Sequence, residues 1–165
     1  MGFAEKIQSP KDITHLEGEI PVNYLYTVGI AGERFLRELK ENAKILGIRC
    51  SRCRLVHVPP RTYCEQCFER LRDWVELTSE GRIETFTICY FSADGNRLAE
   101  PEIIAAVKLN GATSAFVHRI RDANDRDIHI GMDVEAVFKE KGDRVGSFLD
   151  IAYFRPSRRV RSESH

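Results

Sequence analysis

The sequence predicts a mainly β fold, opened by one amphipathic helix and continued by a four-cysteine ribbon and a small barrel. Three observations carry that prediction. Apolar residues recur at helical spacing from Val28 to Leu46, and two Cys-x-x-Cys pairs fall inside 18 residues after it. About five strand-like runs then follow in roughly 80 residues, separated by turn signals with no long helix between them. At 165 residues the chain suits one compact unit, or two very small ones sharing an interface. Hydrophobic residues at 42% and charged residues at 30% exclude global disorder. A formal net charge of zero gives no whole-molecule attraction to nucleic acid or an anionic membrane.

The opening residues, 1 to about 26, are interrupted by Pro10 and Pro21 and end on Tyr24-Leu25-Tyr26, an aromatic cluster that needs a packing partner. In the helix, Phe35, Leu36, Leu39, Ala43 and Leu46 line one face. Glu33, Arg37 and Glu41 line the other, with opposite charges four residues apart. Thr27 is the expected cap at its start, and Gly47 the expected left-handed stop. The face serves to pack on the rest of the fold; a partner-binding role is the alternative. Domain limits follow at 1–47 for the helical segment, 48–73 for the ribbon, 74–156 for the barrel and 157–165 for a tail.

Strand character begins at Val75 and runs to Phe91, with Gly81 as a bend or bulge. Ile103 to Leu109 and Ala112 to Arg121 flank Asn110-Gly111, a hairpin signal because a type I′ turn needs φ > 0 at both positions. Val134 to Lys139 and Ser147 to Phe154 flank Gly142-Asp143. A five-stranded OB-type barrel accounts best for this spacing, with an open sandwich second.

The ribbon holds the chemistry. Cys50 and Cys53 are separated by two residues, ten residues intervene, and Cys64 and Cys67 repeat the spacing. Two residues between cysteines let one tight turn aim both sulfurs at one ion, and two such knuckles make a tetrahedral thiolate cage suited to zinc. Iron accepts the same cage. Four thiolates fill the coordination shell, so no position remains for an activated water and the site is structural. A redox dithiol would need one pair beside a βαβ pattern, which is lacking. Arg54 and Phe68 stand where such knuckles favour glycine.

Nothing in the sequence points to catalysis. Cys89 lies in strand periodicity and reads as a small buried hydrophobe. His57, His118 and His129 have no metal-ligand spacing, and His57 reads as a surface or pocket residue. No phosphate loop, nucleophile elbow or H-E-x-x-H pattern occurs. Arginine is concentrated instead: Arg49, Arg52, Arg54, Arg61, Arg70 and Arg72 meet only Glu65 and Glu69 in the ribbon region. A second cluster, Arg155, Arg158, Arg159 and Arg161, lies near the end. Guanidinium forks bind phosphates and aromatic rings stack on bases, so Arg52, Arg54, Arg61 and Tyr63 are candidate contacts to a nucleotide-bearing ligand. A solvated charged face is the competing explanation.

Four stretches resemble a known prokaryotic family, the one catalogued as domain of unknown function thirty-five. They are Tyr26-Thr-Val-Gly-Ile-Ala-Gly-Glu-Arg-Phe35, the ribbon with its Val58-Pro-Pro-Arg-Thr-Tyr-Cys64 link, Ile130-Gly-Met-Asp-Val134, and Phe154-Arg-Pro156. The resemblance spans roughly residues 26 to 156 and implies a rubredoxin-like zinc ribbon joined to an OB-fold. It also implies an accessory subunit that scaffolds acyl-CoA enzymes, above all thiolase and, in archaea, hydroxymethylglutaryl-CoA synthase, and shares an acyl-CoA site with them. Members tied to steroid side-chain degradation accompany hydratase-like partners instead. In that picture the helix and ribbon face the thiolase, while the arginines meet CoA phosphates; Arg52, Arg54 and Arg61 rest on composition alone.

Two functions are thus expected in order: a non-catalytic, acyl-CoA-binding scaffold with a structural zinc, and a single-strand nucleic-acid binder of the OB type. Zero net charge disfavours the second. No apolar run reaches the ~20 residues a membrane crossing needs. The first residues lack the basic start and apolar stretch of a secretory signal, so a cytoplasmic address is expected.

Overall fold

The computed structural model describes residues 25–157. The expectations for Pro10, Pro21 and Tyr24, and for the tail arginines Arg158, Arg159 and Arg161, lie outside the described residues. One helix, α1 (Gly29–Asn42), precedes eight strands: β1 (Ile45–Arg49), β2 (Val56–His57), β3 (Asp73–Leu77), β4 (Glu80–Phe91), β5 (Arg97–Leu109), β6 (Phe116–Ile120), β7 (Asp133–Phe138) and β8 (Ile151–Pro156). No described helix is long and apolar enough to cross a membrane.

Helix α1 is shorter than its periodicity predicts. It stops at Asn42, and Ala43 takes the left-handed conformation (φ 53°) with its amide donating back to Leu39. The expected stop, Gly47, sits instead in the middle of β1 with Leu46. Its role there is steric. A Cβ on Gly47 would come within 3.0 Å of Val56 and 3.2 Å of Leu77 and Val58, so only glycine lets the flanking strands close in. Thr27 does serve the helix start, since its hydroxyl accepts the Gly29 amide at 3.2 Å, one position ahead of the capping residue Val28. Phe35 and Leu39 are buried as expected, and Glu33 pairs with Arg37 at 3.6 Å.

Two sheets divide the rest. A three-stranded antiparallel sheet in the order β2-β1-β3 carries the ribbon, and β4-β5-β6-β8-β7 close into a barrel. Pairing of Gly81 with Val134 completes the ring, and β6 meets β8 in parallel at Ile120 and Phe154. This is the five-stranded OB-type closure, not the open sandwich. The run predicted as one strand from Val75 to Phe91 breaks at Thr78-Ser79. Its first part pairs with β1 in the ribbon sheet, from Leu77 opposite Ile45 to Asp73 opposite Arg49. Gly81 is neither bend nor bulge: a Cβ there would lie 2.4 Å from the Lys108 carbonyl oxygen, so it permits the close approach of β4 to β5. The register shift falls beyond it, between Ile83 and Thr85.

Two further expectations shift. Of Asn110-Gly111 only the glycine has positive φ, at 86°, so the turn closed by Ala112 donating to Leu109 is not type I′. Residues 112–114 then leave the barrel, and β6 starts at Phe116. The strand expected from Ser147 starts at Ile151; Ser147 caps a short 3-10 turn, Phe148–Asp150. The expected turn at Gly142-Asp143 is present, as a second 3-10 turn over Lys141–Asp143 closed by the Asp143 amide donating to Glu140.

Residues 112–114 join the two sheets. The Thr113 hydroxyl accepts from the Val56 amide and donates to the Val56 carbonyl, both at 2.8 Å. Ser114 repeats this on Val58, at 2.7 and 2.9 Å. These hydroxyls satisfy the β2 backbone groups that its short ladder leaves open. On the other side α1 drives Phe35 and Leu39 into the barrel core with Ile83, Val107, Ile151 and Phe154. Phe35 also packs against Phe148, with ring centroids 5.3 Å apart. A smaller cluster of Ile48, Leu71 and the cysteines fills the ribbon, and Trp74 touches both clusters.

Candidate metal centre and the arginine groove beside it

Both knuckles are built the same way. At the first, the Cys50 amide donates to Leu55 at 2.8 Å and the Arg54 amide to Cys50 at 2.9 Å; at the second, Cys64 donates to Glu69 and Phe68 to Cys64, both at 2.9 Å. Arg54 and Phe68, directly after the second cysteine of each pair, adopt φ of 64° and 57°. The left-handed geometry favouring glycine is therefore present, held by side chains that strain in it by about 1–2 kcal/mol each. Each turn brings its two sulfurs together, and the turns face one another. The four sulfurs lie within 4.8 Å of one another, and Cys50 Sγ stands 3.6 Å from Cys67 Sγ.

That cluster fits a metal. A tetrahedral ion with Zn–S bonds of ~2.3 Å needs sulfurs ~3.8 Å apart. Cys50 and Cys64 are fully buried, and Cys53 and Cys67 are partly covered. The Cys53 amide donates to Cys50 Sγ at 3.3 Å and brings that thiol down to about 7. The neighbouring Cys67 thiol, together with burial, pushes Cys53 up to about 12. A divalent ion must displace the protons that remain, so its uptake releases them.

His57 is not the surface or pocket residue that sequence reading predicts. It is only 1% exposed, and neither ring nitrogen has a partner in hydrogen-bond geometry, although the ring stands near the Cys64 thiol. The nearest carboxylate, on Glu65, stands 4.0 Å from Nδ1. Its position was obscured because a two-residue strand leaves no alternation to show which way a side chain faces.

The arginines separate. Arg52 and Arg54 are exposed on the first knuckle, while Arg61 turns back to Glu65 in an ion pair. Arg61 also lines a groove of about 260 Å³ with Thr62, Arg70 and Arg72, over a floor of Ala31, Ile48, Leu71 and Trp74, with exposed Ile30 at its edge. Tyr63 is exposed beside it and bridges to Arg70 through the backbone. Arg34 from α1 lies 4.5 Å over the Trp74 ring. Arg52, Arg54, Arg70 and Arg72 form no ion pair among the described residues. The groove thus unites one sequence candidate, Arg61, with Arg70, Arg72 and Trp74, which sequence reading had not singled out as contacts. The signal was there in Arg70-Leu71-Arg72, where alternation buries the leucine and turns both arginines outward.

Comparison with known proteins covers both sheets. One family model, the ChsH2 rubredoxin-like zinc ribbon domain, matches residues 38–72, and a second, the ChsH2 C-terminal OB-fold domain, matches residues 74–139. A DUF35 domain-containing scaffold protein of Methanocaldococcus jannaschii is 31% identical over 114 residues, 67% of this chain and 80% of that protein. Its counterpart from Pyrococcus furiosus is 26% identical over 125 residues, 74% of this chain and 90% of that one. A DUF35-family crystal structure from Sulfolobus solfataricus superposes with a TM-score of 0.57 at 32% identity, covering 66% of this chain and 78% of the other. An Ltp2-ChsH2(DUF35) aldolase structure shares the fold, with a TM-score of 0.54, 21% identity, and coverage of 74% and 91%.

Proposed function

Because this chain belongs to the family of DUF35 domain-containing scaffold proteins, we propose that it is a non-catalytic accessory subunit that binds an acyl-CoA and holds a thiolase-type partner, thiolase or hydroxymethylglutaryl-CoA synthase. The ribbon carries a structural zinc, and its cytoplasmic setting keeps the cysteines reduced for it. The observation carrying this reading is the groove of Arg61, Arg70 and Arg72 over the Trp74 floor. An apolar floor with a cationic rim suits a molecule that is planar at one end and phosphorylated beside it, as the nucleotide end of CoA is. Arg52, Arg54 and Tyr63 would extend that contact along the knuckle. The fold's occurrence in an aldolase with Ltp2 supports an enzyme as the partner.

The test is a pull-down from the source cells together with calorimetric titration of acetyl-CoA. A thiolase-fold protein is expected to co-purify, and the double change Arg70→Ala, Arg72→Ala to weaken CoA binding by about tenfold or more, the loss of one charge-assisted contact or two. Absence of both a thiolase-fold partner and CoA affinity would reject the reading. Oligonucleotide binding that falls steeply with salt would favour the nucleic-acid alternative.

A further inference from the structure

A buried imidazole with two unpartnered nitrogens is costly, because each polar atom has given up water for nothing. His57 is such a residue, and its surroundings name the missing partner. It lies opposite Ile48 in the β1–β2 ladder, and residues directly opposite in an antiparallel pair point to the same face. Ile48 packs against Cys50 and Cys64, so His57 shares the face that looks onto the sulfurs. Glu65, the neighbour of Cys64, stands 4.0 Å from Nδ1 and leaves Nε2 as the nitrogen for the cysteine side.

We propose that His57 is a positioning residue of the metal centre, donating its Nε2 hydrogen to the Sγ of metal-bound Cys64. A neutral thiol is a poor acceptor, whereas a metal-bound thiolate is a charged one, so the imidazole gains its partner when the ion binds. Outer hydrogen bonds of this kind fix a ligand's orientation, and losing one lowers metal affinity about 10–100-fold. The Cys64 thiolate, having given part of its charge to the N–H, becomes the least nucleophilic of the four. The inference rests on the ribbon's holding a metal, but not on any partner or CoA.

The direct test uses the unaltered chain loaded with cadmium-113, with the metal content measured first. Nuclear magnetic resonance is expected to show scalar coupling between the metal and the His57 Nε2 hydrogen, transmitted through Cys64 Sγ. Coupling absent in fully loaded protein would overturn the proposal, whereas failure to load would overturn the metal reading beneath it. Variants add a second readout by chelator competition and by alkylation of the zinc form. His57→Phe should lose 10–100-fold in affinity and move Cys64 up from last place in the order of alkylation. His57→Gln, which still offers an N–H, should recover most of the affinity. Equal affinity and an unchanged alkylation order in His57→Phe would contradict it, and a misfolded variant leaves the coupling measurement to decide.

Discussion

At the residue scale, the two knuckles place the heaviest demand on single side chains. Cys53 supplies one of the four sulfurs. Zinc bound to such peptides is worth about 10–16 kcal/mol apparent, comparable to the whole stability of a typical domain. Cys53→Ser is therefore expected to lose metal and unfold the ribbon; a native-like melting curve from metal-free mutant would contradict the structural role. Arg54 holds φ 64° without glycine's freedom. Arg54→Gly should raise stability by about 0.5–1 kcal/mol, strain relief less the added freedom of the unfolded chain, while Arg54→Ala should gain nothing. Denaturant midpoints of the two variants compare them directly. Burial holds the His118 ring below its ordinary value. The Arg119 amide donates to its Nδ1 at 3.0 Å, so Nε2 keeps the hydrogen and faces the Phe148 carbonyl at 3.4 Å. For Asp150 burial pushes the carboxyl up, but amides of Val145, Gly146 and Ser147 outweigh it and the net shift is downward. Both groups take up protons more readily in the unfolded chain. Stability is then full above about pH 6.5 and declines as pH falls, first through His118 and, below about pH 4, through Asp150. Urea midpoints from pH 8 to 3 should fall in that sense, and the wild type should lose its advantage over His118→Gln below the first step. An advantage that grew on acidification would be inconsistent with a neutral buried ring.

At the element scale, ribbon and barrel are joined through hydroxyls. Thr113→Val keeps the shape but leaves the Val56 amide without an acceptor. A cost of about 1–3 kcal/mol is expected, read as a lowered urea midpoint; an unchanged midpoint would mean that the β5–β6 connection does not clamp the ribbon. This joint also shows where sequence reading runs short. The two Cys-x-x-Cys pairs state their purpose by spacing alone, and the strand runs announce a barrel by period and turn residues. Thr113 and Ser114 looked like the start of a strand because β-branched and polar residues suit either setting, and only the tertiary fold brings them onto Val56 and Val58. Gly47 and Gly81 misled for a related reason. A glycine reads as a stop or a bend in one dimension, whereas here each makes room for a neighbour far away in sequence.

At the scale of the whole molecule, a helix plugs one side of a five-stranded barrel, and a ribbon too small for a core of its own is clasped by sulfur and tied to the barrel by hydroxyls. The groove of Arg61, Arg70 and Arg72 stands on that ribbon, so its shape depends on the clasp. Sequence reading ranked Arg52 and Arg54 above Arg70 and Arg72, yet it is Arg70 and Arg72 that line the groove, because closeness to the cysteines in sequence is not closeness to the Trp74 floor. Everything the scaffold presents from this end follows from whether a metal holds the knuckles together. Hydrogen exchange of the β1, β2 and β3 amides, compared between metal-loaded and chelated protein, measures that dependence most directly. The account predicts that chelation strips protection from the ribbon strands while the barrel strands keep much of theirs. Ribbon protection unchanged in verified metal-free protein would contradict it.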